Sequence, residues 1–387
     1  MDDRGREGMV ALNARSDEPT PKPATRDYQL YAISSYNAMQ RYFYTSYSLY
    51  KENYPRQTGD RAFSYNWPFY SAMAATLDVY GLPAIGTSYK TAVKDRMSGL
   101  ARYWDAEPSY GLPGYSSYVV RPLGSGGDKY NDDNVVSALN LIRVYRMTSN
   151  ATALTQAKRT FDFIVSSWDT KATCAPGGIF WKQQKPTETD HVRATNATAL
   201  GAELALRLYQ VTGQQLYLDW GVRLFNWVDA YMYDRSDGMY WNSIDDKCVI
   251  NYPKWSYNQG AMIGANVLLY KIKGEVPYVT KAEKLTAATL HYYGDVAGWY
   301  SQDPAFNAMY FKNALMLSAV SSNAALKANI VQAMQGYANS TWDDVSIRQS
   351  SNLFYFKPGH AWLLQQGGMI QIYAALNWRA SRYDLLF

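Results

Sequence analysis

Leu208-Tyr209-Gln210-Val211-Thr212-Gly213 closes an apolar helical pattern, and two other stretches end alike: Val144-Tyr145-Arg146-Met147-Thr148-Ser149-Asn150 and Leu269-Tyr270-Lys271-Ile272-Lys273-Gly274. Each helix stops where Gly or Asn is available for a left-handed cap, and another helical pattern opens within a few residues. The endings recur about 60 residues apart, enough for two helices, one short connection and one long one. A chain of 387 residues holds about six such units. Apolar periodicity predicts helices over 28–51, 66–80, 88–104, 133–147, 152–168, 194–211, 214–231, 258–272, 279–293, 306–321, 323–338 and 360–378. Strand-like alternation is confined to short pieces near 178–181 and 239–241. The expected fold class is all-α, an (α/α)6 barrel in which six helical hairpins form an inner and an outer ring.

The composition narrows the function. A hydrophobic fraction of 47% suits a folded protein, and 35 Tyr, 12 Trp and 12 Phe supply apolar faces with polar tips. Most of those rings pack between helices; some are free to stack on sugars. The net charge of +5 is spread along the chain without Lys/Arg blocks, which argues against nucleic-acid binding. No apolar run reaches the length of a transmembrane helix. Residues 1–26 are polar, rich in Pro and charge, and lack the hydrophobic core of a signal peptide, so they read as a disordered leader or expression remnant before one catalytic domain over 27–387. Cys174 and Cys248 both fall in loops; one bridge and two free thiols fit the sequence equally.

The long connections, 105–131, 169–193, 232–256, 294–305 and 339–359, should gather on one face and build a cleft. Lys129-Tyr130-Asn131-Asp132-Asp133-Asn134 then stands at the entrance of a helix beside that cleft. Paired carboxylates are what glycoside hydrolysis needs, one ionised and one holding a proton. Adjacent residues inside a helix point about 100° apart. At an entrance where Asn131 or Asp132 keeps non-helical dihedrals, the two carboxyls can converge, with the helix dipole favouring ionisation of one and a like-charged neighbour keeping the other protonated. A capping role explains one Asp and leaves the second over. Asp2-Asp3, Asp245-Asp246 and Asp343-Asp344 fall in the leader, a loop and a turn. His191, His291 and His360 lie far apart without a second ligand at metal spacing, and no G-x-S-x-G elbow, P-loop or dinucleotide fingerprint occurs, so neither metal nor cofactor is expected. The acidic motif of helical terpenoid synthases is incomplete, because Val135-Val136 follow Asn134.

Tyr130-Asn131-Asp132-Asp133-Asn134, Gly177-Gly178-Ile179-Phe180-Trp181, Asn196 with Leu204 to Tyr209, Thr212-Gly213 through Tyr217-Leu218-Asp219-Trp220, and Tyr257-Asn258-Gln259-Gly260 together resemble glycoside hydrolase family 76. The resemblance runs from about Tyr28 to the final helix and implies an endo-α-1,6-mannanase with an (α/α)6 barrel and a retaining mechanism. It implies Asp132 as nucleophile and Asp133 as acid/base, and a polysaccharide or oligosaccharide partner met outside the cytoplasm. Phe180 stands where a tryptophan is expected, which leaves stacking to Trp181; Gln183 to Asp190 departs from a lysine-rich pattern and bears on branching tolerance. The sugar-contact candidates are Trp67, Tyr130, Trp181, Asn196, Trp255, Tyr257 and Gln259. Two other readings are a transglycosylase, as wall-remodelling members of the family are thought to be, and a noncatalytic glycan-binding protein.

Overall fold

The computed structural model describes residues 26–387; apart from Arg26, whose guanidinium pairs with Asp343 at 2.6 Å, the expected leader lies outside the described residues. Thirteen helices follow in order: α1 (Tyr28–Phe43), α2 (Asn66–Tyr80), α3 (Lys90–Leu100), α4 (Asn131–Thr148), α5 (Ala151–Val165), α6 (Thr195–Thr212), α7 (Gln215–Tyr231), α8 (Ser256–Lys273), α9 (Val276–Tyr293), α10 (Val296–Tyr300), α11 (Pro304–Ser318), α12 (Ala324–Asp343) and α13 (Leu363–Ala375). All twelve predicted helices are present. The pattern over 28–51 runs too far, because Tyr44 bridges Tyr50 in extended backbone and both the amide and hydroxyl of Thr45 donate to the Leu49 carbonyl. The five-residue α10 escapes the sequence because one turn carries no readable period; Asp295 caps it through the amides of Ala297 and Gly298.

The helices form two rings. α2, α4, α6, α8, α11 and α13 each pack on the next, and α13 closes back on α2. α3, α5, α7, α9 and α12 cover their hairpin partners, and α1 covers α13, so the sixth hairpin joins helices from opposite ends of the described chain. Inner helices are buried on nearly every side: in α2 every residue from Pro68 to Val79 is buried. Such a helix has no polar stripe, because neighbours take all its faces. α5, on the outside, buries Ala153, Ala157, Thr160, Phe161 and Ile164 at helical spacing, with Phe163 buried beside them, and leaves its other residues wetter.

Two of the three recurrent endings are capped as expected, by Gly213 and Gly274 with φ of 69° and 75°. At the first, Ser149 takes the left-handed position with φ 58°, and Asn150 instead caps α5 by accepting from Ala153 N. A short αα turn lets one residue end a helix and the next begin another.

Strands are short and serve the loops. Asn53–Tyr54 pairs antiparallel with Ala361–Trp362, and Arg193–Ala194, Ser243–Ile244 and Ile250–Asn251 form a three-stranded patch beside the inner-helix N-termini. Cys174 and Cys248 form a disulfide between the loops after α5 and α7, which resolves the open pairing. Among the described residues no helix is long and apolar enough to cross a membrane.

Candidate active site

The N-termini of the inner helices open on one face, where a cleft of ≈ 760 Å³ is lined from five of the six. Tyr65 and Trp67 come from the head of α2, Tyr130, Asp132 and Asp133 from α4, Ala194 and Asn196 from α6, Trp255 and Tyr257 from α8, and Phe306 from α11. Loop residues Ser117, Trp181, Asp190, Val192, Asn242 and Ser243 complete the wall. Among the described lining residues none is lysine or arginine. The cleft therefore offers hydrogen bonds and aromatic faces, which suits a neutral polyol.

The N-cap of α4 is Tyr130, with extended dihedrals, so Asn131, Asp132 and Asp133 form its first turn. This corrects the expectation that Asn131 or Asp132 stands outside the helix. Both carboxyls still line the cleft because it lies over the helix end, where side chains 100° apart share the space beyond the first turn. Neither Asp caps the helix through the usual N-cap geometry, so a capping role accounts for neither.

Three N–H donors hold Asp132. Its Oδ1 accepts from the Asp133 amide at 3.0 Å, and its Oδ2 accepts from Trp181 Nε1 at 2.9 Å and Asn196 Nδ2 at 2.8 Å. The Asn196 amide also reaches the Tyr257 hydroxyl at 3.0 Å, and its Oδ1 accepts from Ala197 N. The Asp133 carboxyl has no hydrogen-bond partner among the described residues, while its carbonyl accepts from Ser137. Burial raises both acids: Asp132 is pushed up to about 6 against the pull of its donors, and Asp133, facing Asp132 without donors, rises well above the carboxylate range. Asp132 therefore lies below Asp133, and the helix dipole does not keep Asp132 low. A helix terminus contributes roughly 0.3–1 kcal/mol, whereas burial moves carboxyls by up to roughly 3–5 pKa units at about 1.4 kcal/mol each.

The loop carrying Trp181 is threaded between two indoles. Gly177 and Gly178 have φ of 102° and 86°, and a Cβ would meet the Trp168 ring at 2.3 Å and the Trp227 ring at 2.4 Å respectively. The chain then pairs Phe180 with Arg193 and Lys182 with Tyr130. Phe180 points to a separate cavity beside His191, so Trp181 alone of the two faces the cleft.

Six of the seven sugar-contact candidates, Trp67, Tyr130, Trp181, Asn196, Trp255 and Tyr257, line the cleft. Gln259 does not. It is fully buried, donates to the carbonyls of Tyr240 at 2.9 Å and Trp255 at 3.2 Å, and accepts from Tyr240 N at 2.8 Å. Two residues along a helix turn the side chain by about 200°, so Tyr257 and Gln259 cannot both face the cleft. Phe306 and Asp190 were missed. The Phe306 ring lies 4.2 Å from that of Tyr257 and follows Pro304 in the first turn of α11, so an aromatic at the start of an inner helix is the signal that would have found it. Asp190 sits in an irregular loop where no periodicity singles it out. Among the described residues no group of three or more His, Cys, Asp or Glu is arranged to hold a metal.

A double ring of helices with paired carboxylates in a polar, aromatic-walled cleft is a glycosidase architecture. The chain belongs to glycosyl hydrolase family 76, whose family model matches residues 32–382. It is similar to the mannan endo-1,6-alpha-mannosidase DCW1 of Candida glabrata, with 31% identity over 129 residues, 31% of this chain and 27% of that relative. Across the curated relatives the matched share of the relative's own length runs from 27% to 39%. Its fold is similar to that of the family 76 mannosidase Bt3792 from Bacteroides thetaiotaomicron, with TM-score 0.79, 20% identity, and coverage of 91% of this chain and 98% of that one. A second structural neighbour is an α-1,6-mannanase of Salegentibacter, an inactive variant with two consecutive aspartates changed to asparagine, in complex with α-1,6-mannotriose; TM-score 0.74, 18% identity, 91% of this chain and 99% of that one.

Proposed function

We propose that this protein is a retaining endo-glycosidase cleaving α-1,6-mannosidic linkages of mannan, with Asp132 as nucleophile and Asp133 as general acid/base. The observation that carries the reading is the asymmetry of the pair: Asp132 is fastened by three N–H donors and Asp133 by none. Asp132 attacks the anomeric carbon while Asp133 gives its proton to the departing glycosidic oxygen. Asp133 then takes a proton from water, whose oxygen displaces Asp132 with net retention. Trp67, Tyr130, Trp255 and Tyr257 provide the aromatic walls for successive mannose rings. The names of the curated relatives and the paired-aspartate variant of the Salegentibacter enzyme support the substrate and the residues.

Residues 27–387 act in this reading as a single catalytic domain working outside the cytoplasm. A disulfide between two cleft loops supports that placement, since such bonds persist in oxidising compartments.

The test is incubation with linear α-1,6-mannan and with α-1,6-mannotetraose, following product anomers by NMR. Early release of the α-anomer is expected, and the Asp132→Asn and Asp133→Asn variants should each lose at least about a hundredfold in kcat/KM. Early β-anomer, cleavage of other mannans in preference, or an active Asp132→Asn variant would overturn the reading. Product analysis with an added mannoside acceptor separates hydrolysis from sugar transfer, and binding without any cleavage would mark a glycan-binding protein.

A further inference from the structure

Trp181 meets the cleft with both a face and an edge. The residue is 38% exposed, its ring lies 4.9 Å from the Tyr130 ring, and its indole N–H points back to Asp132. The edge contact is braced by backbone. Trp181 N donates to Val192 O and Trp181 O accepts from Asn131 N, both at 2.8 Å, and Phe180 O accepts from Asn131 Nδ2 at 2.8 Å. Gln183 N adds a bond to Lys129 O at 2.9 Å. The loop is thus tied to the residues just before and at the start of the turn that carries Asp132, which fixes the Trp181 backbone beside that carboxylate. A tryptophan needed only for stacking requires no such alignment of its nitrogen.

We propose that Trp181 is a positioning residue: with Asn196, its indole N–H saturates Oδ2 of Asp132 and leaves Oδ1 as the oxygen that attacks the sugar. This rests on Asp132 being the nucleophile. Each carboxylate oxygen has two acceptor sites; Oδ2 uses both, and Oδ1 uses one for the Asp133 amide. In the attack the Oδ1–C1 bond forms as the glycosidic C1–O bond breaks, and the Asp133 proton goes to the leaving oxygen. Oδ2 then becomes the ester carbonyl oxygen, still facing two donors. When water adds to C1 and its proton passes to Asp133, the electron pair of the C1–Oδ1 bond returns to a carboxylate those donors stabilise.

The groups facing Asp132 are Asp133 and Tyr130 on α4, Tyr257 on α8, Asp190 on the opposite loop and Tyr65 at the head of α2. Lys182 lies behind Trp181, paired with Glu188 at 2.9 Å. Since Asp133 and Asp190 also titrate, the test compares variants and does not rely on one profile.

Selective indole labelling gives an 15N–1H spectrum of 12 Trp signals, in which the one missing from Trp181→Phe is Trp181. That signal should move as pH crosses about 6 and stop moving in Asp132→Asn. On α-1,6-mannotetraose, Trp181→Phe keeps an aromatic face and loses the donor. It should shift the acidic limb of kcat/KM upward and lower kcat roughly tenfold or more, with KM changed by less than about twofold. Trp181→Ala should raise KM as well, and thermal melting checks that both variants fold. A Trp181 signal indifferent to pH, or a Phe variant altered in KM alone, overturns the proposal. An active Asp132→Asn would sink the nucleophile assignment instead, while the indole titration still reports the contact.

Discussion

Asp132 and Asp133 share one helical turn and differ in what they touch, and that difference sets their expected behaviour. With Asp132 as the proposed nucleophile, active when ionised, and Asp133 as the proposed acid, active when protonated, kcat/KM should follow a bell whose acidic limb lies near 6 and whose basic limb lies well above the ordinary carboxylate range. The apparent values belong to the pair. Asp133 also has a stability consequence. Its folded-state pKa is raised, so above the unfolded value of about 3.9 the unfolded chain has released a proton that the folded chain keeps, and stability falls as pH rises. The Asp133→Asn variant removes this cost. It should melt higher than the wild type at pH 7 by a few degrees, with the advantage vanishing below about pH 4. Calorimetry across that range checks it, and equal melting temperatures at pH 7 would contradict it.

The elements hold the cleft by close approach and by one covalent tie. A Cβ on Gly260 would come within 2.7 Å of Tyr310 Cα, and one on Gly368 within 2.5 Å of Ala305 N, both against backbone of α11. Backbone cannot swing aside like a flexible side chain, so Gly368→Ala must push α13 from α11 at the cleft end. Overpacking of this kind costs roughly 1–3 kcal/mol, and a drop in the urea midpoint with an unchanged slope would report it. The disulfide closes a separation of 74 residues, from the loop after α5 to the loop after α7. On the chain-entropy account its removal costs about 4 kcal/mol. The Cys174→Ser/Cys248→Ser double variant should therefore melt lower, and an unchanged melting temperature would show that the unfolded chain is not what the bond restrains. Both features belong to helix and loop geometry: the positions of the glycines and cysteines were visible in the sequence, and what each of them meets was not.

Across the whole molecule, polar side chains run down the axis of the inner ring below the cleft. Asp78 meets Arg143 and, at 3.2 Å, Lys312, which also donates to Gln371 at 2.7 Å. At the far end Asp384 gathers Arg146, Arg207 and Lys271, closing the ring opposite the cleft. Between them Glu203 is fully buried without a hydrogen-bond partner for either carboxyl oxygen among the described residues. Burial raises it far above its ordinary value despite the nearby Arg207, and burial lowers Lys312 to about 7. Above the ordinary glutamate value of about 4.3 the unfolded chain loses the Glu203 proton that the folded chain retains, so stability should fall as pH rises, with a slope through this group that ends once the folded carboxyl ionises. Glu203→Gln should flatten that slope, as denaturant titrations at several pH values would show. An unchanged slope would mean that Glu203 is ionised in the fold.

The sequence by itself determined the twelve long helices, their alternation of short and long connections, and three of the five loops expected at the cleft; it did not show α10, the closure of α13 on α1, or that 294–305 and 339–359 give no lining residue. The helices and their connections follow from periodicity and capping, which are local and repeat along the chain. It also picked out the Asp pair, because catalysis needs two acids and only one such dipeptide stood at an inner-helix entrance. What only the tertiary structure decided is which groups converge. The Trp181 nitrogen and the Asn196 amide reach one oxygen of Asp132 from positions 49 and 64 residues away. Gln259 turns aside to the Tyr240 backbone, and Cys174 finds Cys248. Contacts between residues far apart in sequence depend on how rings of helices are phased against one another, and no local pattern encodes that phase.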